Sequence, residues 1–364
     1  MAEIVQQDDE LSKKMEDVSI SGGSSSSATL VPKVTISDLT SEVFTVRFSP
    51  DGKFLACGCG DGAIRVFNTQ NGSLAYSLQG GSSVALPTTA LRFRPVTPTT
   101  RTKNVFLAAN AAGTVQHWHM TSGKCLHSME DEENQVYALD YNDEGTCFVA
   151  AGKDKAVRVY DEATKTMVVE MAGGVGYSNK TSPGHSNRVF SVKYKPGDEN
   201  TVVSGGWDNT VQIWDIRTGT SVRSFYGPHV CGDSVDVVGD EIVTGSWRPD
   251  TQLEIWDLGT GTKKQDIPWN NANSIAALSG QPSCMLYAAQ FSKEGTGKYI
   301  AAGGSGANEA KVFDHSAGNA VVGTITGLAR GVFAIDFSPD NEKVAVAGGD
   351  SSIRIFSIQK PEEA

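Results

Sequence analysis

The sequence predicts an all-β chain in which one four-stranded antiparallel unit is used seven times. Three observations predict it. Residues 184–217 hold a clean copy of the unit, ending GGWDNTVQIWDIR. More worn copies recur along almost the whole chain. And 364 residues with 39% hydrophobic content make an ample core, too long for one ordinary domain unless the chain is a repeat array.

The clean copy defines the unit. Residues 189–194 (VFSVKY) alternate apolar and polar, as a half-buried strand should. Pro196-Gly197-Asp198 turns the chain into the β-branched run 200–204. Gly205-Gly206-Trp207-Asp208-Asn209 is turn chemistry leading into 210–214. After Trp214-Asp215, Arg217-Thr218-Gly219 turns again into an edge strand, 221–225.

On these residues the unit resembles the WD-repeat family, which builds β-propellers. The signature pairs are Gly184-His185 and Trp214-Asp215. The resemblance implies a seven-bladed propeller of four-stranded blades. It also implies a buried polar tetrad, His185, Ser204, Asp208 and Trp214, that holds the blade in one register. His185, Ser204 and Asp208 could also be read as a hydrolase triad, but the tetrad accounts for every member. No catalytic residue, metal ligand or cofactor site is expected.

Taken in order, residues 1–32 read as a tail: charged through Val18, then Ser/Gly-rich and short of apolar surface to bury. Residues 33–38 (KVTISD) are a strand without a local mate. Blade one is expected at 43–48, 54–58, 63–68 and 74–78, with Phe67 in the Trp214 slot and Asp61 in the Asp208 slot. Blade two runs from Thr88 to about Met129. It has Trp118 in the slot, Ala112 in place of the turn Asp, and a basic insertion at 95–104 marked by Arg92, Arg94, Arg101 and Lys103. Blade three, 136–171, carries Asp154 and Tyr160 in the slots. Blade five follows the clean copy, from Gly227 to Trp256-Asp257, with a lengthened turn through Trp247, Arg248 and Asp250. Blade six follows a long loop, 269–284, and uses 286–291, 299–303, 311–314 and 320–324. Blade seven uses 332–337, 343–347 and 352–358, then the chain ends in a short tail, 359–364. Blade seven therefore lacks an outer strand, and 33–38 is expected to supply it, closing the ring and removing an open edge. The propeller is thus expected over 33–358.

Composition narrows the partners. Lys and Arg total 31 against 42 Asp and Glu, a net charge of −11, which disfavours binding to a phosphate backbone. No apolar run approaches about 18 residues, so no membrane-spanning helix is expected. The acidic start without an apolar core argues against secretion, and six dispersed cysteines fit reduced thiols in cytosol or nucleus, with a cytoskeletal or ciliary address left open. The propeller is expected as a monomer within a larger complex.

The expected function is a non-catalytic scaffold for a protein or peptide. The resemblance places partner sites on the top face, which carries the loops between blades and each blade's central turn. Trp207 and Trp247 stand at equivalent central turns, and Trp269 lies in the next top loop. Turn aromatics suit an interface core. Arg248 falls in the same sector. A repeated inner-strand aromatic (Phe44, Tyr137, Phe190, Tyr287, Phe333) is implied at the channel mouth, as mutual packing or as a cage for a guanidinium or ammonium. An alternative is a substrate receptor of a cullin-type ubiquitin ligase. Residues 202–217 resemble the box such receptors use, with Val202 at its start and Arg217 as its adaptor contact. A propeller enzyme is a third, disfavoured class. Cys57-Gly58-Cys59 and His117-Trp118-His119 each put two ligand types on one strand face, and two ligands fall short of a zinc site.

Overall fold

The computed structural model describes residues 19–22, 28–37, 39–79, 86–98, 100, 102–131, 133–175, 181–270, 282–293 and 295–360. Arg101, most of the 269–284 loop, and most of the two tails lie outside these residues. The structure is a seven-bladed β-propeller of four-stranded antiparallel sheets. In blade four the strands are Val189–Lys195, Asp198–Gly206, Thr210–Asp215 and Thr220–Tyr226, from channel to rim. Each innermost strand touches the next around the axis, and that of blade seven, Val332–Phe337, meets that of blade one, Val43–Phe48.

Burial explains why the units stack. The third-strand residue Trp214 is fully buried against Val192 of its own blade and Val149 and Val159 of blade three. Phe67, Trp118 and Trp256 fill the same slot, each buried. A blade therefore buries its apolar surface only against its neighbours, which is what makes the ring cooperative.

Closure happens as expected, with a shifted boundary. The strand is Thr29–Ile36, antiparallel to Ile353–Gln359, running from Thr29 opposite Gln359 to Ile36 opposite Ile353. It starts four residues before the expected 33–38, because Leu30 has somewhere to go. Leu30 is buried against blade six, where Gly323 leaves the space: a Cβ there would meet the Leu30 side chain at 2.9 Å. Pro32 is accommodated because this is an outer strand with a register irregularity beside it.

A second difference lies further upstream. Ser19–Gly22 forms a fifth strand on blade six, paired with Ala320–Thr326, and Ile20 packs onto the core shared by blades six and seven. Eight residues expected in the tail, 19–22 and 29–32, are therefore strand. At the other end, Ile353–Gln359 carries the last strand one residue into the segment expected as tail.

Candidate functional site

The blade-four tetrad forms. Asp208 Oδ2 accepts from His185 Nδ1 at 2.9 Å, and Ser204 Oγ lies 2.7 Å from His185 Nε2. Trp214 Nε1 donates to Ser204 Oγ at 2.8 Å. Asp208 fixes the Nδ1–H tautomer, so Ser204 donates to Nε2. The separations are those of a hydrolase triad, but Ser204 is fully enclosed and already accepts from the indole. A substrate carbonyl has no path to it in this packing. Burial alone would raise the Asp208 carboxyl. Hydrogen bonds from His185, Ser186 N–H and Thr210 prevail and hold it down at about 2.

Blades without the histidine use a different clasp. Asp61, Asp154 and Asp350 pair with arginines four residues on, Arg65, Arg158 and Arg354. In blade two Asn110 replaces the missing Asp by accepting from the Ala112 and Thr114 amides. Among the described residues no cluster of three or more metal-ligating side chains occurs. His117 is paired with Glu162 at 2.9 Å and His119 with Ser122.

One cavity of about 290 Å³ opens at the end of the channel that carries the central turns. Phe44, Tyr137, Phe190, Tyr287 and Phe333 all line it. They form two arcs. In one, Phe44 stacks on Phe333 at 5.7 Å, Tyr287 meets Phe333 edge-on at 5.3 Å, and Trp247 lies 6.2 Å from Tyr287. In the other, Tyr137 stacks on Phe190 at 4.7 Å, Trp207 lies 5.1 Å from Phe190, and His229 stacks 6.3 Å beyond Trp207. The arcs are separated by the two inner strands that lack the aromatic, with Thr89 in blade two and Asp233 in blade five.

The two turn tryptophans differ. Trp247 is 36% exposed, its Nε1 donating to Ser305 at 3.3 Å. Trp207 is half-buried, donating to Cys231 Sγ at 3.1 Å under the guanidinium of Arg188. Burial raises the Cys231 thiol to about 11. Arg248 is half-buried and close enough to His229 to reinforce, after burial, the lowering of the imidazole.

Trp269 is a correction. It is only 3% exposed, edge-on to Phe313, with its indole N–H donated to Glu309 and Lys311 Nζ 4.9 Å from its ring. It belongs to the core between blades five and six and presents nothing to a partner. Its packing partners lie some forty residues downstream, out of reach of a local reading.

The floor of the cavity was not foreseen. Asp233, standing where other blades have an aromatic, turns inward. Arg47 and Arg92 both donate to its Oδ2, as does Gln290 at 3.1 Å, and Ser191 donates to Oδ1 at 3.1 Å. Arg92 also pairs with Asp140 at 3.1 Å. Below, Asp140, Asp236 and Asp336 each accept the backbone N–H of the next blade's inner strand, at Tyr194, Phe291 and Phe48. These carboxylates tie blades three to four, five to six, and seven to one. Burial, then the like charge of Arg92, lowers Arg47 to about 9 and Lys193 to about 8. The signal was a charged residue at the fifth position of otherwise apolar inner strands: Arg47, Arg92, Asp140, Lys193, Asp236 and Asp336.

Two of the arginines that mark the basic insertion are engaged within the fold. Arg92 belongs to this floor, and Arg94 is tied to Glu162 at 3.3 Å and to the Thr102 carbonyl at 2.6 Å. Arg217 has an exposed side chain (70%) and is clasped by Asp215 through two hydrogen bonds, at 2.8 and 3.0 Å.

Comparison with known proteins bears on the repeats. Residues 32–68, 123–161, 176–215 and 319–357 match the model of the WD domain, G-beta repeat. These stretches end on the third strands of blades one, three, four and seven. The chain is 24% identical over 323 residues to Pre-mRNA-processing factor 19 of Oryza sativa subsp. japonica, covering 86% of this chain and 54% of that protein. It is 22% identical over 322 residues to the Ribosome biogenesis protein WDR12 homolog of Drosophila pseudoobscura pseudoobscura, covering 85% and 71%. It is 27% identical over 195 residues to the U3 small nucleolar RNA-associated protein 21 homolog of Schizosaccharomyces pombe, covering 54% and 19%. The chain thus spans from about a fifth to somewhat over two thirds of the length of these relatives.

Proposed function

We propose that this chain, which carries WD40 repeats on a seven-bladed propeller, is a non-catalytic scaffold that docks a protein or peptide on its top face. The carrying observation is the cavity of about 290 Å³ into which all five inner-strand aromatics open, with Trp247 exposed beside it. An aromatic-lined cavity in a rigid ring suits an anchor side chain, because the site is preformed and little entropy is lost on docking. Relatives named for pre-mRNA processing, ribosome biogenesis and association with U3 small nucleolar RNA support membership of a larger assembly, with the nucleus as its compartment. Protein contacts hold the chain there, since its charge of −11 opposes direct nucleic-acid binding.

The test is affinity purification with mass spectrometry from native cells, comparing wild type with Trp247→Ala and with Trp207→Ala/Trp247→Ala. The reading expects a partner lost from both variants while circular dichroism stays unchanged. Unchanged recovery from both, with the fold intact, would count against it.

A second reading, the cullin-ligase receptor, rests on the exposure of Arg217 on the third-to-fourth strand turn. It expects the ligase adaptor to co-purify and to be lost with Arg217→Ala.

A further inference from the structure

Resting on the top-face reading, we infer that the cavity accepts an apolar side chain from an acidic peptide, with a carboxylate of that peptide received by Arg188 and Arg248. A cationic side chain, the occupant an aromatic cage first brings to mind, is disfavoured by the floor. Arg47 and Arg92 both line the cavity. The carboxylate between them, Asp233, already accepts from Arg47, Arg92, Gln290 and Ser191. An incoming guanidinium would meet two like charges and a carboxylate already engaged by four donors, so its desolvation would be poorly compensated. A neutral apolar group meets aromatic rings and asks nothing of the floor.

The rim points the same way. Three carboxylates of the central turns are paired with arginines of their own blades, Asp61 with Arg65, Asp154 with Arg158 and Asp350 with Arg354. The fourth, Asp208, is enclosed by hydrogen bonds from His185, Ser186 and Thr210, with its side chain only 3% exposed. The arc of Tyr137, Phe190, Trp207 and His229 then keeps two arginines that form no ion pair among the described residues. Arg188 lies 5.1 Å over the Trp207 ring, and its Nε is buried with no hydrogen-bond partner. Arg248 stands by His229. A stacked guanidinium with no ion pair among the described residues suits a planar carboxylate at its terminal N–H groups. Of the rim carboxylates, Glu42 lies beside Phe44 on the other arc, and Asp250 is exposed in the blade-five turn that carries both Trp247 and Arg248. Glu133 precedes the arginine arc on an exposed loop. So a chain that is acidic as a whole presents a cationic half-rim, and charge complementarity selects an acidic ligand.

The experiment is fluorescence anisotropy on the full chain with labelled peptides. One has a central leucine flanked by glutamates, a second has lysines in place of the glutamates, and a third has a central arginine flanked by glycines. The inference expects the acidic leucine peptide to bind tightest, with affinity falling as salt rises. It expects Arg188→Glu/Arg248→Glu to weaken that peptide by about tenfold or more. Arg330→Glu, beside Phe333 on the other arc, should weaken it less. Preference for the lysine or central-arginine peptide would overturn the inference, as would binding that ignores the double charge reversal, or no binding by any peptide. Failure of the top-face reading is separable. If the native partner is still lost on Trp247→Ala while the acidic peptide does not bind, the site stands and only the ligand chemistry falls.

Discussion

Replacing Asp208 with Ala removes one carboxylate and strands its donors. In the wild type, Asp208 Oδ2 accepts from His185 Nδ1 and the Ser186 amide at 2.9 and 2.8 Å, and Oδ1 accepts from the Thr210 amide and hydroxyl at 3.0 and 2.8 Å. Thr210 and Ser186 are near enough to solvent to find water. The His185 ring is not, since its side chain is fully enclosed. One buried unsatisfied donor costs about 1–3 kcal/mol. The lowered pKa expresses the same hydrogen bonds as a second figure. A carboxyl taken from 3.8 to about 2 is worth about 2.5 kcal/mol at neutral pH, at roughly 1.4 kcal/mol per unit. Both figures put the loss at about 2–3 kcal/mol. The sign with pH follows from the depression. The stabilisation is complete above the unfolded-state pKa near 4 and drains as pH falls toward the folded-state value near 2. Equilibrium urea unfolding, followed by tryptophan fluorescence, should show Asp208→Ala less stable by that amount at pH near 7. The gap between the two proteins should narrow as pH falls below about 4. Equal stabilities at neutral pH, or a gap indifferent to acid, would refute the tetrad as a stabilising network.

Other consequences are open to measurement. Deleting residues 1–37 removes the closing strand and opens the edge of Ile353–Gln359, so the melting temperature should fall and aggregates should appear on size exclusion. Deleting 1–27 leaves that strand and should do much less. Equal behaviour of the two would contradict closure by Thr29–Ile36. Leu30→Ala should lower urea stability by about 2–3 kcal/mol, because a buried side chain leaves a cavity against Gly323. A loss within error of zero would mean that Leu30 is not clamped between blades six and seven. Lys193, held at about 8 in the fold, binds its proton less tightly there than when unfolded. Wild type should therefore gain stability relative to Lys193→Met as pH rises from about 8 to 10.5. A difference that stays flat across that window would remove Lys193 from the buried channel network.

How much of this was legible in the sequence depends on the range of each interaction. The blade-four tetrad was implied by the resemblance of Gly184-His185 and Trp214-Asp215 to the WD-repeat signature, and its four members sit within thirty residues. The five aromatics could be read as a ring because the period of the repeat puts the same strand position at the same height. The closing strand was found but misplaced. Leu30 sits behind a Ser/Gly-rich tail and before a proline, and only Gly323, distant in sequence, explains its burial. Trp269 was misread for a related reason: a tryptophan in a loop reads as exposed until Glu309 and Lys311 are brought against it. The channel floor escaped because its logic is angular. Arg47, Arg92 and Asp233 come from blades one, two and five, and only ring closure makes them neighbours.

The central claim is that the cavity end of the propeller is where a partner docks. Site-specific photocrosslinking in native cells tests it most directly, with a benzophenone side chain placed in turn at Trp247, beside the cavity, and at Val222, on the exposed rim of blade four. The account predicts a discrete crosslinked partner from position 247 that is absent from position 222. Crosslinks from 222 with none from 247 would contradict it and move the binding surface to the rim.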